Sequence, residues 1–232
     1  MRQNITNSKF SSLASFVSAV NPQLYYEMDY YGKNIFVYDE NWEYQRTITH
    51  PSNEYPLNGP TYSININGSI NVTANEVVNK YDNYFNLTKR VNSPGYNRGI
   101  YYNSANQMIY NAIYYSNSIS VYDKDLSFNR TISKNCRPWF ITGFNGQLVV
   151  TDDSYGGNIY FYQGESSYRK VPTNCGNLFG SILFDNYNQM IVACVRSNIY
   201  IYNVNGTNTG LQVNACVGTS RLFINFDSKD RF

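Results

Sequence analysis

The sequence predicts an all-β fold, a β-propeller of four-stranded antiparallel blades, and three observations carry the prediction. The stretch from Cys136 to Val171 reads as four short strands, WFITGF, QLVVTD, NIYFYQ and SYRKV, parted by Asn145-Gly146, by Asp153 to Gly157 and by Gly164 to Ser167. Residues of these types supply the positive φ angles and local hydrogen bonds that tight hairpins need. The same signals recur: Tyr38, Tyr81, Tyr122, Tyr162 and Tyr202 close the third strand of successive units at spacings of 43, 41, 40 and 40. A second register keeps step, since Gln23, Ser69, Gln107, Gln147 and Gln189 open the second strands at spacings of 46, 38, 40 and 42. An internal period of about 40 residues with four strands per unit is the pattern of a propeller.

The units follow in order. Residues 1–6, MRQNIT, copy the fourth strands YQRTIT (Tyr44 to Thr49) and FNRTIS (Phe128 to Ser133), so they are expected to be the last strand of a split blade. Five complete blades are expected at 16–49, 61–91, 99–133, 139–171 and 178–215, with FVSAV (Phe16 to Val20) as the first strand of the first. SRLFINFD (Ser220 to Asp227) matches SILFDN of the fifth unit, so 220–227 reads as the first strand of the split blade. The expectation is one domain over 1–232, six-bladed in its complete form and lacking two strands here. Either the chain is a portion of a longer protein, the favoured reading, or its two ends build a reduced closing sheet. A third reading is structural, in which strands of a neighbouring chain complete the sheet and produce a polymer. The link HPSNEYPLNGP (His50 to Pro60) is the longest between units and is a candidate binding loop.

Composition narrows the function. Charged residues make up only 15% of the chain and the net charge is +2, with Lys and Arg scattered, so no basic stripe offers a track for nucleic acid. No run approaches the roughly 20 apolar residues of a membrane span. The opening MRQNITNSKFSSLASFVSAV lacks the apolar core of a secretory signal, so an extracellular protein would have its signal removed or outside this sequence. Cys136, Cys175 and Cys216 fall in links between units, and Cys194 ends a second strand. Link and strand end open on the same face, so a disulfide joining Cys194 to Cys175 or Cys216 is one reading; four buried thiols is the other.

Within QLVVTDDSYGGNIYFYQ, an apolar strand ends in Asp152 and is followed by a Gly-containing turn and an Ile and aromatic strand, a pattern that resembles the NHL repeat. YDENWEYQRTI (Tyr38 to Ile48) and YDKDLSFNRTI (Tyr122 to Ile132) are similar to the third-strand, turn and fourth-strand segment of that family. The strand-end Asp is Met28, Ala74, Ala112 and Cys194 in the other units, and Asn34, Asn158, Asn198 and Ser118 stand where the family carries Arg. The resemblance implies a six-bladed propeller, and relatives of that kind include zinc lyases and calcium-dependent lactonases.

Neither chemistry has a clear residue set. Zinc catalysis needs several His ligands and a Ser or Cys nucleophile needs a base, while His50 is the sole histidine. For calcium, Asp152, Asp153, Asp185 and Asp227 offer oxygens, but the last two belong to first-to-second-strand hairpins at the opposite end from the first two. Hairpin capping is the simpler role for them. No cofactor is implied.

What remains is recognition. Tyr96, Arg98, Arg137, Trp139, Tyr155 and Arg221 lie in or beside inter-unit links or second-to-third-strand turns, which should share one face, and Tyr, Trp and Arg are the side chains that anchor interfaces. Packing between blades is the competing role for the large aromatics. Sequons stand at Asn4, Asn67, Asn71, Asn86, Asn129 and Asn205; Asn86, Asn129 and Asn205 lie on or beside outermost strands, where a glycan points into solvent, and Asn71 lies inside a second strand. The expectation is a noncatalytic extracellular module that binds a protein or a glycan, with a calcium-dependent hydrolase as the alternative.

Overall fold

The computed structural model describes residues 13–18, 24–29, 34–39, 41, 43–49, 63–66, 69–74, 76–82, 84, 86–153, 157–173, 179–185, 189–194 and 198–214. Among them every regular element is a strand, and the strands form five antiparallel sheets of four, each a meander in chain order. Sheet one holds β1 (Leu13–Ser18), β2 (Leu24–Asp29), β3 (Asn34–Tyr38) and β4 (Tyr44–Thr49). Sheet two holds β5 (Ser63–Ile66), β6 (Ser69–Ala74), β7 (Val77–Tyr81) and β8 (Leu87–Asn92). Sheet three holds β9 (Asn97–Asn103), β10 (Met108–Ile113), β11 (Ser118–Asp123) and β12 (Phe128–Ser133). Sheet four holds β13 (Pro138–Phe144), β14 (Gln147–Asp152), β15 (Asn158–Gln163) and β16 (Ser167–Pro172). Sheet five holds β17 (Phe179–Phe184), β18 (Gln189–Cys194), β19 (Asn198–Asn203) and β20 (Asn208–Asn214). The first strand begins three residues ahead of the expected FVSAV segment, with Phe16 opposite Tyr26. The expected strands at 1–6 and 220–227, and the His50 to Pro60 link, lie outside the described residues.

Successive sheets pack through their first strands, β1 beside β5, β5 beside β9, β9 beside β13 and β13 beside β17. Gly99 shows how closely: a Cβ there would meet the Ile141 nitrogen at 2.7 Å and the Phe140 Cα at 3.0 Å, so only glycine lets β9 lie this near β13. The core lies between sheets because strands β10, β11, β14 and β15 are largely buried on both faces. Along β15, Tyr160 and Tyr162 turn toward sheet three, where they meet Ala112, Ile119 and Val121. Ile159 and Phe161 turn the other way and pack with Ile182, Met190, Val192 and Tyr202 of sheet five. Each such fully buried side chain contributes about 1.5–3 kcal/mol. The fourth strands are edges and are mostly exposed; Lys89 and Arg90, Arg130, and Arg169 and Lys170 put charge on them, which discourages further strand pairing.

Turn chemistry repeats with the sheets. Asp39, Asp82 and Asp123 each follow a third-strand Tyr, and each Oδ1 accepts two backbone amides from the next turn at 2.8–3.0 Å. These five-residue turns put a register shift beside Tyr38, Tyr81 and Tyr122. In sheet four the shorter Gly164 to Ser166 turn lets β15 and β16 pair without one. The Asn145-Gly146 hairpin has φ of 47° and 74°, the pair of positive angles that a two-residue turn of this hand requires.

Candidate functional site

One end of the sheets carries the inter-sheet links and the turns between second and third strands, and two sets of backbone hydrogen bonds hold them together. The Tyr114 amide donates to the Tyr96 carbonyl at 2.9 Å, and in the next sheet the Asp153 amide donates to the Arg137 carbonyl at 3.0 Å. Tyr96 and Arg137 are therefore equivalent positions, as are Tyr114 and Asp153, and two residues further along so are Arg98 and Trp139. On the outer side the Ser93, Lys134 and Thr173 amides donate to Glu76, Asn117 and Gly157 in the same way.

The side chains at these equivalent positions meet across the gap between sheets three and four. Arg98 is 7% exposed, and its guanidinium lies over the rings of Trp139 at 4.4 Å, Tyr96 at 4.8 Å and Tyr114 at 5.0 Å. Its charge is held by the π faces of three rings, a favourable arrangement for a cation removed from water. The Tyr114 hydroxyl donates to Asp153 Oδ2 at 2.5 Å, and the Arg137 guanidinium, 5.0 Å over the same ring, donates through one terminal nitrogen to the Asp153 carbonyl at 3.0 Å. Asp152 accepts from the Arg137 amide at 2.9 Å and from the Tyr160 hydroxyl at 3.5 Å, which pins the link to the end of β14.

Burial raises the Asp153 carboxyl above the usual range despite the Tyr114 hydrogen bond and the two nearby guanidinium groups. Burial, with the Asp153 hydrogen bond and charge acting in the same direction, pushes the Tyr114 phenol up to about 12, so this hydroxyl is a donor at neutral pH. Tyr115 is different in kind. It stands 71% exposed, with its ring set edge-on against Tyr114 at 4.6 Å and Tyr96 at 5.8 Å.

The sequence placed Tyr96, Arg98, Arg137 and Trp139 on one face, and the structure brings these four together around Tyr114. Arg98 is packed inside the cluster and is not presented to solvent, because its three neighbouring rings enclose it. Trp139 is partly buried against the core between sheets four and five. Tyr155 and Arg221 lie outside the described residues. Tyr114, Tyr115 and Asp153 complete the cluster; the Tyr-Tyr pair in a turn, an unlikely place for two large rings to be buried, was the available signal for the first two.

Other residues singled out in the sequence have separate fates. Asp185 accepts the Gln189 amide at 2.7 Å and caps its hairpin at the end away from Asp152 and Asp153. No group of three metal-binding side chains occurs among the described residues. Cys136 is a buried free thiol 3.6 Å from the Tyr162 hydroxyl, and burial pushes it up to about 11. Cys175, Cys216 and the side chain of Cys194 lie outside the described residues. Asn86 and Asn129 are exposed, Asn205 forms a turn by accepting the Thr207 amide, and Asn71 is fully buried. No helix among the described residues is long and apolar enough to cross a membrane.

Sheets of four antiparallel strands, packed face to face through their first strands, are the blades of a β-propeller, and the chain has that fold. Solved structures agree at the level of fold. Virginiamycin B lyase from Staphylococcus aureus superposes with a TM-score of 0.68 at 13% identity, over 93% of this chain and 74% of that one. Hydrazine synthase of Kuenenia stuttgartiensis gives 0.67 at 12% identity, over 90% and 68%. Dihydro-heme d1 dehydrogenase gives 0.57 at 12% identity, over 85% and 45%. No protein-family profile matches the chain, and no curated protein matches it by sequence.

Proposed function

We propose that the protein is a noncatalytic extracellular binding module, a six-bladed propeller of NHL type in its complete form, that recognises a protein or glycan through the link face of sheets three and four. The observation that carries this reading is Tyr115, a rigid ring exposed to solvent on a base of Tyr96, Tyr114, Arg98 and Trp139. Its orientation is set before any ligand arrives, so little conformational entropy is lost on binding. In the same reading Asn86, Asn129 and Asn205 carry N-linked glycans, and Cys194 bonds to Cys175 or Cys216. The test is to probe wild type and Tyr115→Ala against panels of secreted proteins and of oligosaccharides. Binding that the substitution abolishes, at an unchanged melting temperature, supports the module; binding that ignores it removes this face from consideration.

A catalytic reading has one point in its favour, since the similar folds include a lyase and a dehydrogenase. Under it, Asp152 and Asp153 would contribute to a calcium-dependent hydrolase site. Calcium that binds the native state must raise the melting temperature. A melting temperature indifferent to millimolar calcium counts against it.

A further inference from the structure

Resting on the reading of the link face as a recognition surface, we infer that its ligand is a neutral saccharide, stacked on Tyr115 and hydrogen-bonded by Asp153 and Arg137. Three features of the face select this class.

The first is the size of the apolar contact. Among the described residues seven large apolar side chains are exposed, and six of them (Tyr44, Tyr84, Leu87, Phe128, Tyr168 and Leu211) stand on outer strands or in the turns that precede them. Of these seven described residues, Tyr115 alone belongs to the link face. A protein partner needs about 800 Å² per side with several desolvated anchors at its centre. One ring fits the apolar face of one pyranose, whose axial C–H groups pack on an aromatic plane while its hydroxyls point outward.

The second is charge. The cluster sets two guanidinium groups, Arg98 and Arg137, against two carboxylates, Asp152 and Asp153, and Arg98 and Asp152 are buried. Arg137 and Asp153 are left as two half-buried groups of opposite charge. An anionic or cationic ligand gains from one member of such a pair and is opposed by the other.

The third is the balance of donors and acceptors. Asp153 Oδ2 is committed to Tyr114, while Oδ1 makes no hydrogen bond among the described residues. Arg137 commits one terminal nitrogen to the Asp153 carbonyl; the other makes no hydrogen bond among the described residues and is not fully buried. An acceptor and a donor on two side chains linked through the Asp153 carbonyl match a pair of sugar hydroxyls, each of which both donates and accepts. Tyr114 joins the two halves, its ring against Tyr115 and its hydroxyl on Asp153, so the stacking plane and the polar pair lie within one side chain of each other.

The experiment uses the full chain, a printed array of neutral and charged oligosaccharides, and titration of the strongest neutral hit by calorimetry. Wild type should bind neutral sugars; Tyr115→Ala should weaken the titrated affinity by at least about tenfold, the effect of losing a single aromatic anchor. Tyr115→Trp should restore it, Asp153→Asn should change which hydroxyl pattern is preferred, and Tyr168→Ala should leave binding intact. Melting temperatures identify variants that fail to fold, and Tyr115, being exposed, tests stacking without disturbing the core. If no neutral sugar binds wild type, or Tyr115→Ala leaves its binding intact, the inference is overturned. Loss of binding to a secreted protein in Tyr115→Ala, with no sugar bound, overturns the saccharide and leaves the recognition surface standing. Absence of binding to either panel overturns both.

Discussion

The Tyr114 hydroxyl donates to Asp153 across the gap between sheets three and four, and the two residues occupy equivalent positions in their own sheets. The bond therefore joins like to like, one repeat to the next. Removing it should loosen the seam without touching the core on either side. Tyr114→Phe keeps the ring under Tyr115 and beside Arg98 and loses only the donor. We expect a loss of about 1.5–3 kcal/mol, the range for a hydrogen bond to a charged group, read as a lower denaturation midpoint at unchanged slope. An unchanged midpoint would mean that water replaces the phenol at no cost.

Asp153 also makes stability depend on pH. Its folded carboxyl titrates above the unfolded one, chiefly because of burial. The native state thus holds its proton more tightly, and the associated stability is fully present below the unfolded value and is lost as pH rises through the folded value. Asp153→Asn abolishes this dependence. The stability of Asp153→Asn relative to wild type should therefore increase from pH 3 to pH 7, measured by thermal melting in matched ionic strength. A relative stability that falls over that range would reverse the assignment.

Arg98 should behave as a packed side chain whose loss is felt by its aromatic neighbours. Arg98→Ala removes a guanidinium from three rings and leaves a cavity, for which roughly 2–4 kcal/mol is expected. Trp139 reports the change. In a Trp42→Phe background its fluorescence should shift to the red as water enters, whereas a stable variant with unshifted emission would show that the rings close over the gap.

Gly99 and Gly143 separate two kinds of crowding. A Cβ on Gly99 meets backbone atoms of β13, which cannot move without parting the sheets, and Gly99→Ala should cost about 1–3 kcal/mol or more. A Cβ on Gly143 would overlap the outer end of the Tyr101 ring, a side chain that can rotate. Gly143→Ala should therefore be the milder of the two in chemical denaturation.

Cys136 offers a probe of opening. A buried thiol pushed up to about 11 has almost no thiolate at pH 8. Maleimide labelling of Cys136, followed by peptide mapping, should be slow in the native state and become fast in denaturant, in step with unfolding. Fast labelling of the native protein would place Cys136 outside the core.

Strand positions were legible because they depend on neighbours in sequence. QLVVTD and NIYFYQ carry their own turn signals, and β14 and β15 occupy those residues; the capping of hairpins by aspartate was equally local. The site was legible only in part. Period alone puts Tyr96, Arg98, Arg137 and Trp139 at links, since every fortieth residue or so returns to the same end of a sheet. It does not say that Arg98 points inward and Tyr115 outward, because both are large, partly polar and adjacent to turns.

The sequence by itself determined the repeating four-stranded sheets, through turn residues and alternation that act over a few residues. The tertiary structure decided which equivalent positions touch: Arg98 with Trp139 and Tyr114 with Asp153, about forty residues apart. That outcome depends on how closely one sheet lies on the next, set here by the absent side chain of Gly99 and by the core between sheets. Those contacts turn an ordinary row of links into a buried cation, a shared hydroxyl and one exposed ring.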